Sequence, residues 1–234
     1  MTKVAVVVSH PVQHFVPQYN SWEKLADMEL KVFFASQHGL NPYQDVNFAR
    51  EIHWEGMQLD FPHEYLPGAE TRELGSKIDS VDLEYSLNTY SPDIIIIYGY
   101  SQRLQRRALA WASTCEIPVC MISDSELRSK RNIFKRFIKR LSLPSIYNKV
   151  SLFLTVGDAN EAYYRHYGVH DRRFVRCCFP IDTKLYDSVL HDTESARQRV
   201  RHNLGIPAHH KVVLNVGKLV PWKKQLDLVH FSNS

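Results

Sequence analysis

The 234-residue sequence contains no apolar run near the ~18 residues of a membrane-crossing helix, and its start, MTKVAVVVSH, lacks a signal-type cleavage site. No membrane span is expected. No G-x-G-x-x-G turn occurs, which counts against a dinucleotide-dependent oxidoreductase. None of the 12 histidines is set with carboxylates at the spacing of a metal-binding helix, so no metal centre is expected. The four cysteines (Cys115, Cys120, Cys177 and Cys178) follow neither a zinc-ligand nor a disulfide-framework spacing, and read as reduced thiols of a cytoplasmic protein. Internal repeats and low-complexity tracts are missing too. With 44% hydrophobic and 23% charged residues, the composition is that of a globular chain.

Acidic residues are missing from one long stretch. Between Leu127 and Gly157 stand Arg128, Lys130, Arg131, Lys135, Arg136, Lys139, Arg140 and Lys149, with no Asp or Glu. That stretch carries +8 of a formal net charge of +4, leaving the remainder at −4. Arg131, Lys135 and Lys139 recur at helical spacing beside Arg136 and Arg140, while Ile133, Phe134, Phe137, Ile138 and Leu141 form the opposite stripe. The default expectation is a helix docked on the core by its apolar stripe, with a solvated basic face. The alternative is a helix lying on anionic lipid, holding the protein peripherally at the inner face of a membrane. Nucleic acid is not an expected partner, because no aromatic stacking platform accompanies the charge.

What is present is a rhythm. Apolar runs at 3–9, 30–36, 93–99, 117–123, 150–157 and 211–217 are continuous rather than alternating, which marks parallel strands buried on both faces. Helix-period segments lie between them, at roughly 13–27, 74–89, 102–115, 129–142, 158–167 and 193–203. The alternation predicts an α/β fold with an open, Rossmann-like parallel sheet. Residues 41–70 break the rhythm and read as an insertion of loops and short strands. Pro180 closes the preceding strand, Asp192 or Thr193 can cap the helix at 193–203, and Gly205-Ile206-Pro207 ends it. The expected division is 1–185 and 186–234, the second part opening a further βα unit with an orphan apolar strand at 212–216. That strand is expected to dock on its own domain, to pair with another chain or to lack order.

Loops leaving the carboxyl ends of parallel strands are where such sheets bind ligands. The first, SHPVQHFVP, offers His10, Gln13 and His14 as acid, base or hydrogen-bonding groups, or as capping and packing groups. Another, MISDSELRSKRN, offers Asp124 and Glu126 to a hydroxyl-bearing substrate, although Asp124 or Ser125 could equally cap the following helix. The loop GKLVPWKK places Gly217, Lys218 and Lys223 where backbone N–H groups and a helix dipole favour phosphate; a solvated basic loop is the plainer alternative.

Together these segments resemble GT-B glycosyltransferases, in particular glycosyltransferase family 4 (group 1). GKLVPWKK is similar to the G-R-L-x-x-x-K-G loop that opens the family's C-terminal domain. TVGDANEAYYRHYGV followed by FPIDTKLYD resembles the end of the N-terminal domain, and SHPVQHFVPQY resembles the start of one subset. The resemblance implies two Rossmann-like domains around a cleft, the first receiving the acceptor and the second a nucleotide-diphosphate sugar. It implies retaining sugar transfer onto a saccharide or lipid-linked acceptor, with no cofactor and no metal. Lys218 stands at the family's diphosphate-binding arginine and Lys223 at its lysine. Lys224 replaces a glycine and Trp222 a frequent glutamate. The acceptor-side histidine has no evident counterpart; Ser123 and Asp124 lie about there instead. The E-x7-E pair that grips the donor sugar is absent, so the 234 residues alone are not expected to catalyse transfer. A GT-B-like nucleotide-sugar epimerase and a non-catalytic membrane-surface module are the alternative readings.

Overall fold

The computed structural model describes residues 1–40, 43–45, 50–52, 57–127, 133–180, 186–187, 190–217 and 219–232. They fall into two units, one of residues 1–41 with 54–180 and the other of 42–53 with 181–234.

The first unit is built on strands β1 (Thr2–Val8), β2 (Met28–Phe34), β5 (His63–Tyr65), β6 (Ile94–Tyr98), β7 (Val119–Ser123), β8 (Leu152–Thr155) and β9 (Phe174–Arg176). They form one seven-stranded sheet in the order β5-β2-β1-β6-β7-β8-β9, and every pairing is parallel. This is the Rossmann-like open sheet that the continuous apolar runs predict. Successive side chains point to opposite faces, so each run supplies two cores. Val4, Val6, Val8, Val32, Phe34, Ile96 and Ile122 face one layer, which is closed by Phe15, Val16 and Tyr19 around α1 (Val16–Trp22). Ala5, Val7, Phe33, Ile95, Ile97, Met121 and Phe153 face the other, covered by α2 (Leu83–Tyr90), α3 (Arg103–Thr114) and α5 (Asp158–His166).

Two of the seven strands lie outside the long apolar runs, one within the 41–70 insertion of loops and short strands and one in the segment that Pro180 closes. β5 and β9 are three residues each, too short for periodicity to show, and they sit at the two edges of the sheet. β5 arises inside the expected insertion, which also holds the antiparallel pair β3 (Tyr43–Asp45) and β4 (Arg50–Ile52). Two helices are shorter than expected. α1 begins only at Val16, with Pro17 in its first turn, and ends at Trp22. α2 begins at Leu83, because Gly75 (φ +145°) breaks the chain and Asp79 is held by a bidentate pair with Arg107 on α3, at 2.8 Å for each contact.

The basic helix, α4 (Ile133–Tyr147), departs from expectation in its orientation. Leu143 and Tyr147 are its buried anchors, while Phe137, Ile138 and Leu141 are 59%, 49% and 66% exposed. The expected docking of the apolar stripe on the core therefore fails at these three residues, and among the described side chains the helix packs through its last turns; the side chains of Ile133 and Phe134 lie outside the described ones. Residues 128–132 lie outside the described residues.

In the second unit, the helix Thr193–Asn203 forms as expected, and Asp192 caps it by accepting from Ser195 N–H at 3.3 Å. A further helix spans Gln225–Ser232. The expected strand between them does not form. Residues 211–216 pair with no strand among the described residues, and Leu214 and Val216 are 79% and 85% exposed. An apolar run becomes a strand only where a neighbouring ladder accepts it, and none of the described strands does.

Candidate functional site

The chain direction across the sheet reverses at β1: β2 and β5 lie on one side of it, β6 to β9 on the other. The carboxyl ends of strands flanking such a reversal open a crevice, because the loops leave toward opposite faces. A cleft of about 650 Å³ lies here. Tyr98, Gly99, Tyr100 and Ser101 at the end of β6 line it, with Ile122, Ser123, Asp124 and Ser125 at the end of β7. His14 and Phe15 close it from the β1 loop, Lys139 from α4, and Phe179 from the segment after β9.

Each wall is fixed by a specific contact. Tyr19 Oη donates to Tyr98 Oη at 2.8 Å, and burial pushes both phenols above their ordinary range. Phe15 packs edge-on against Tyr98 and Phe179, with ring centroids 4.6 and 5.5 Å apart. Gly99 takes φ +69°, a conformation that favours glycine, and its N–H donates to Ile122 C=O at 2.7 Å. The β7 loop is held from behind by Asn160, a residue 3% exposed. Its Nδ2 donates to Ser125 C=O at 2.9 Å, while its Oδ1 accepts from Val156 N–H at 3.3 Å. One side chain thus ties the loop after β7 to the loop after β8. Glu161, the next residue of α5, accepts from Thr155 Oγ1 and from Arg176, both at 2.9 Å, extending the lacing to β9.

Among the chemical groups at the cleft, Ser123 Oγ and Tyr164 Oη share a hydrogen bond of 2.7 Å, and burial pushes the Tyr164 phenol up to about 12. Lys139 Nζ donates to Tyr163 Oη at 3.2 Å, and Tyr100 Oη lies 3.5 Å from the same oxygen. Burial pushes Tyr163 up, but those hydrogen bonds and the ammonium charge outweigh it and hold the phenol below its ordinary range. Burial also lowers the His14 imidazole, which favours its neutral form at pH 7. The cleft therefore offers a carboxylate (Asp124), an ammonium, a neutral imidazole and several hydroxyls around a mixed apolar floor.

The residues singled out in the sequence are divided among several places. Asp124 and His14 line the cleft; His10, Gln13 and Glu126 do not. His10 turns to Ser9 Oγ at 2.9 Å, and its ring stands edge-on to His38 at 5.6 Å. Burial first, and then the His38 charge, lower it to about 4. Residues 124–127 are not helical, so neither Asp124 nor Ser125 caps a helix there. Gly217 and Lys223 belong to the second unit, and Lys218 lies outside the described residues. Lys223 is exposed in a short turn, Pro221–Lys223. Lys224, where the resembled motif carries glycine, adopts φ +53°, ψ +38°, the left-handed conformation that glycine takes without cost. Sequence reading assigned no role to Asn160, Tyr98 or Lys139 at the cleft. The asparagine in TVGDANEAYYRHYGV was the one available signal. Among the described residues no group of three or more His, Cys, Asp or Glu side chains is placed to hold a metal ion, and no helix is long and apolar enough to cross a membrane.

No family model and no curated protein sequence matches the chain. Solved structures do. Alr3699/HepE from Anabaena in complex with UDP shares 16% identity, covering 98% of this chain and 57% of its own length, with a TM-score of 0.62. The same protein in complex with UDP-glucose superposes with a TM-score of 0.59. UDP-GlcNAc 2-epimerase from Neisseria meningitidis bound to UDP-GlcNAc shares 14% identity over 87% of this chain and 53% of its own, with a TM-score of 0.53. The likeness at these identities is one of fold, and this chain spans a little over half the length of those proteins.

Proposed function

We propose that this chain is the acceptor-side part of a GT-B-type glycosyltransferase, which moves a sugar from a nucleotide-diphosphate sugar onto a saccharide or lipid-linked acceptor. The observation that carries the reading is the polar cleft at the strand reversal, where Asp124 and Lys139 meet hydroxyls and a neutral imidazole. The fold likeness to proteins solved with UDP, UDP-glucose and UDP-GlcNAc supports it. In this reading the Asp124 carboxylate accepts from acceptor hydroxyls, and His14 donates or accepts one hydrogen bond in its neutral form. Phe15 and Phe179 give a sugar ring an apolar surface. Gly217, Lys218 and Lys223 serve the departing diphosphate, whose growing charge lysines stabilise. His10, outside the cleft, positions the β1 loop through Ser9 and His38.

Amide chemical-shift titration of the 234-residue chain with a panel of saccharides and with UDP-glucose and UDP-GlcNAc tests this. The expected result is saccharide-dependent shifts at Gly99, Ser123, Asp124 and Ser125. Asp124→Asn should weaken that binding about tenfold or more, since hydrogen bonds to a charged group contribute about 1.5–3 kcal/mol. Shifts confined to other regions, or binding unaltered in Asp124→Asn, overturn the assignment. The Neisseria likeness favours a second reading, epimerisation of a nucleotide sugar. Formation of an epimer from UDP-GlcNAc without acceptor would select it.

A further inference from the structure

We propose that α4 docks this protein on an anionic lipid membrane through an exposed apolar ridge within its basic stretch. Phe137, Ile138 and Leu141 occupy neighbouring positions on successive turns of one helix, and each is about half or more exposed. Apolar side chains scattered singly over a surface need no explanation, but three large ones on one ridge mark an interaction face. The ridge is not spare core. The helix is anchored on the sheet by Leu143 and Tyr147, and Lys139, between the exposed residues in sequence, turns the other way to Tyr163 and the cleft. In this part of the helix the usual arrangement is inverted: a cation faces the protein and the apolar groups face solvent.

Charge selects the occupant. Arg140 and Lys149 are exposed on or just after the helix, and the whole stretch Leu127–Gly157 carries eight cations without one acidic residue. The remainder of the chain is net negative at −4, so the stretch that carries the ridge is opposite in charge to the rest of the sequence. An apolar ridge beside exposed Arg140, in a stretch with cations and no acidic residue, matches a layer of acidic headgroups over hydrocarbon. Each cation near such a surface gains Coulomb energy, and the ridge gains by leaving water. A protein partner covering the same ridge would have to supply a comparably acidic rim. The inference does not depend on the sugar-transfer reading.

The experiment is co-sedimentation of the 234-residue chain with vesicles of phosphatidylcholine alone and of phosphatidylcholine with 30% phosphatidylglycerol, at about 50 and about 300 mM salt. Binding is expected to the mixed vesicles, to be weak on phosphatidylcholine alone, and to fall with salt. Phe137→Ser/Ile138→Ser/Leu141→Ser should weaken it at least about tenfold, and Arg140→Glu/Lys149→Glu by a similar factor. Because all five side chains are exposed, circular dichroism and the melting temperature should not fall, which separates lost docking from lost fold. Three outcomes overturn the proposal: no sedimentation with mixed vesicles, equal binding to both vesicle types, or binding unchanged in the triple variant. So does a wild-type chain that is dimeric by light scattering while the triple variant is monomeric, since the ridge would then be covered by a second copy.

Discussion

Replacing Asn160 tests how the cleft wall is held. Its amide is nearly inaccessible and bonds two backbone groups belonging to different loops, Ser125 C=O and Val156 N–H. Asn160→Ala deletes both. At about 1 kcal/mol net for each, the loss is about 2 kcal/mol. For a chain of this size that corresponds to a fall of about 4–8 °C in melting temperature. Asn160→Asp is the sharper probe. An ionised carboxylate still accepts from Val156 N–H but presents an oxygen to the Ser125 oxygen, so its folded pKa should rise above the ordinary ~3.9. A raised pKa means the folded state binds the proton more tightly than the unfolded state. The penalty is then full at high pH and shrinks as pH falls through the folded pKa, where the protonated carboxyl donates to Ser125 again. Urea unfolding of the wild type and both variants, from pH 8 down to pH 5, measures this as the variant-minus-wild-type difference. The reasoning is refuted if Asn160→Ala lies within about 0.5 kcal/mol of wild type, or if the Asn160→Asp difference stays flat with pH.

Three further outcomes follow from the same geometry. His10 is held near 4 by burial and by His38, below the ~6.5 of an exposed imidazole. Its contribution to stability is therefore complete above pH 6.5 and lost as pH falls toward 4, by at most about 3 kcal/mol; in His10→Gln the unfolding free energy should depend less on pH across that window. Lys139→Met should move the Tyr163 phenol upward, visible at 295 nm as one tyrosine whose titration shifts to higher pH. An unchanged titration curve would mean that the ammonium does not govern that hydroxyl. Gly99→Ala should cost about 1 kcal/mol in chemical denaturation from its φ of +69° alone, because the added Cβ would meet Ser123 Cβ at an ordinary 3.9 Å.

Much of the first unit was legible because β1, β2, β6, β7 and β8 are buried on both faces, and double burial writes itself as unbroken Val, Ile and Phe. The helices Arg103–Thr114 and Asp158–His166 were legible for the complementary reason, a clear 3.6-residue period. β5 and β9 were legible only as short strands without bounds or place in the sheet, since three residues carry no period and the neighbouring strand decides their state. The same dependence misled the reading of 211–216, where strand composition meets no described ladder. For α4, amphipathicity was legible but its sense was left between core and lipid, because a helical wheel separates two faces without saying which meets the protein; Phe137, Ile138 and Leu141 depart from the core-docked default. At the cleft, Asp124 and His14 could be placed from their positions after strands. Lys139 and Asn160 could not, because each reaches its partner, Tyr163 or Ser125, across the fold.

The position of β1 in the sheet has a consequence for how the chain is made. β1 is synthesised before both strands it pairs with, yet it ends between β2 and β6. β2 follows within one short helix, but the other edge closes only when Val4 to Val7 meet Ile94 to Ile97, and when Lys3 N–H reaches Asp93 across a separation of 90 residues. Until then, a nascent chain carries the open, flat edge of Val4–Val8, with no charge inside it to deter pairing with a neighbour. Slowing translation between residues 35 and 95 should therefore raise the fraction lost to aggregates, whereas a pause after residue 125 should not.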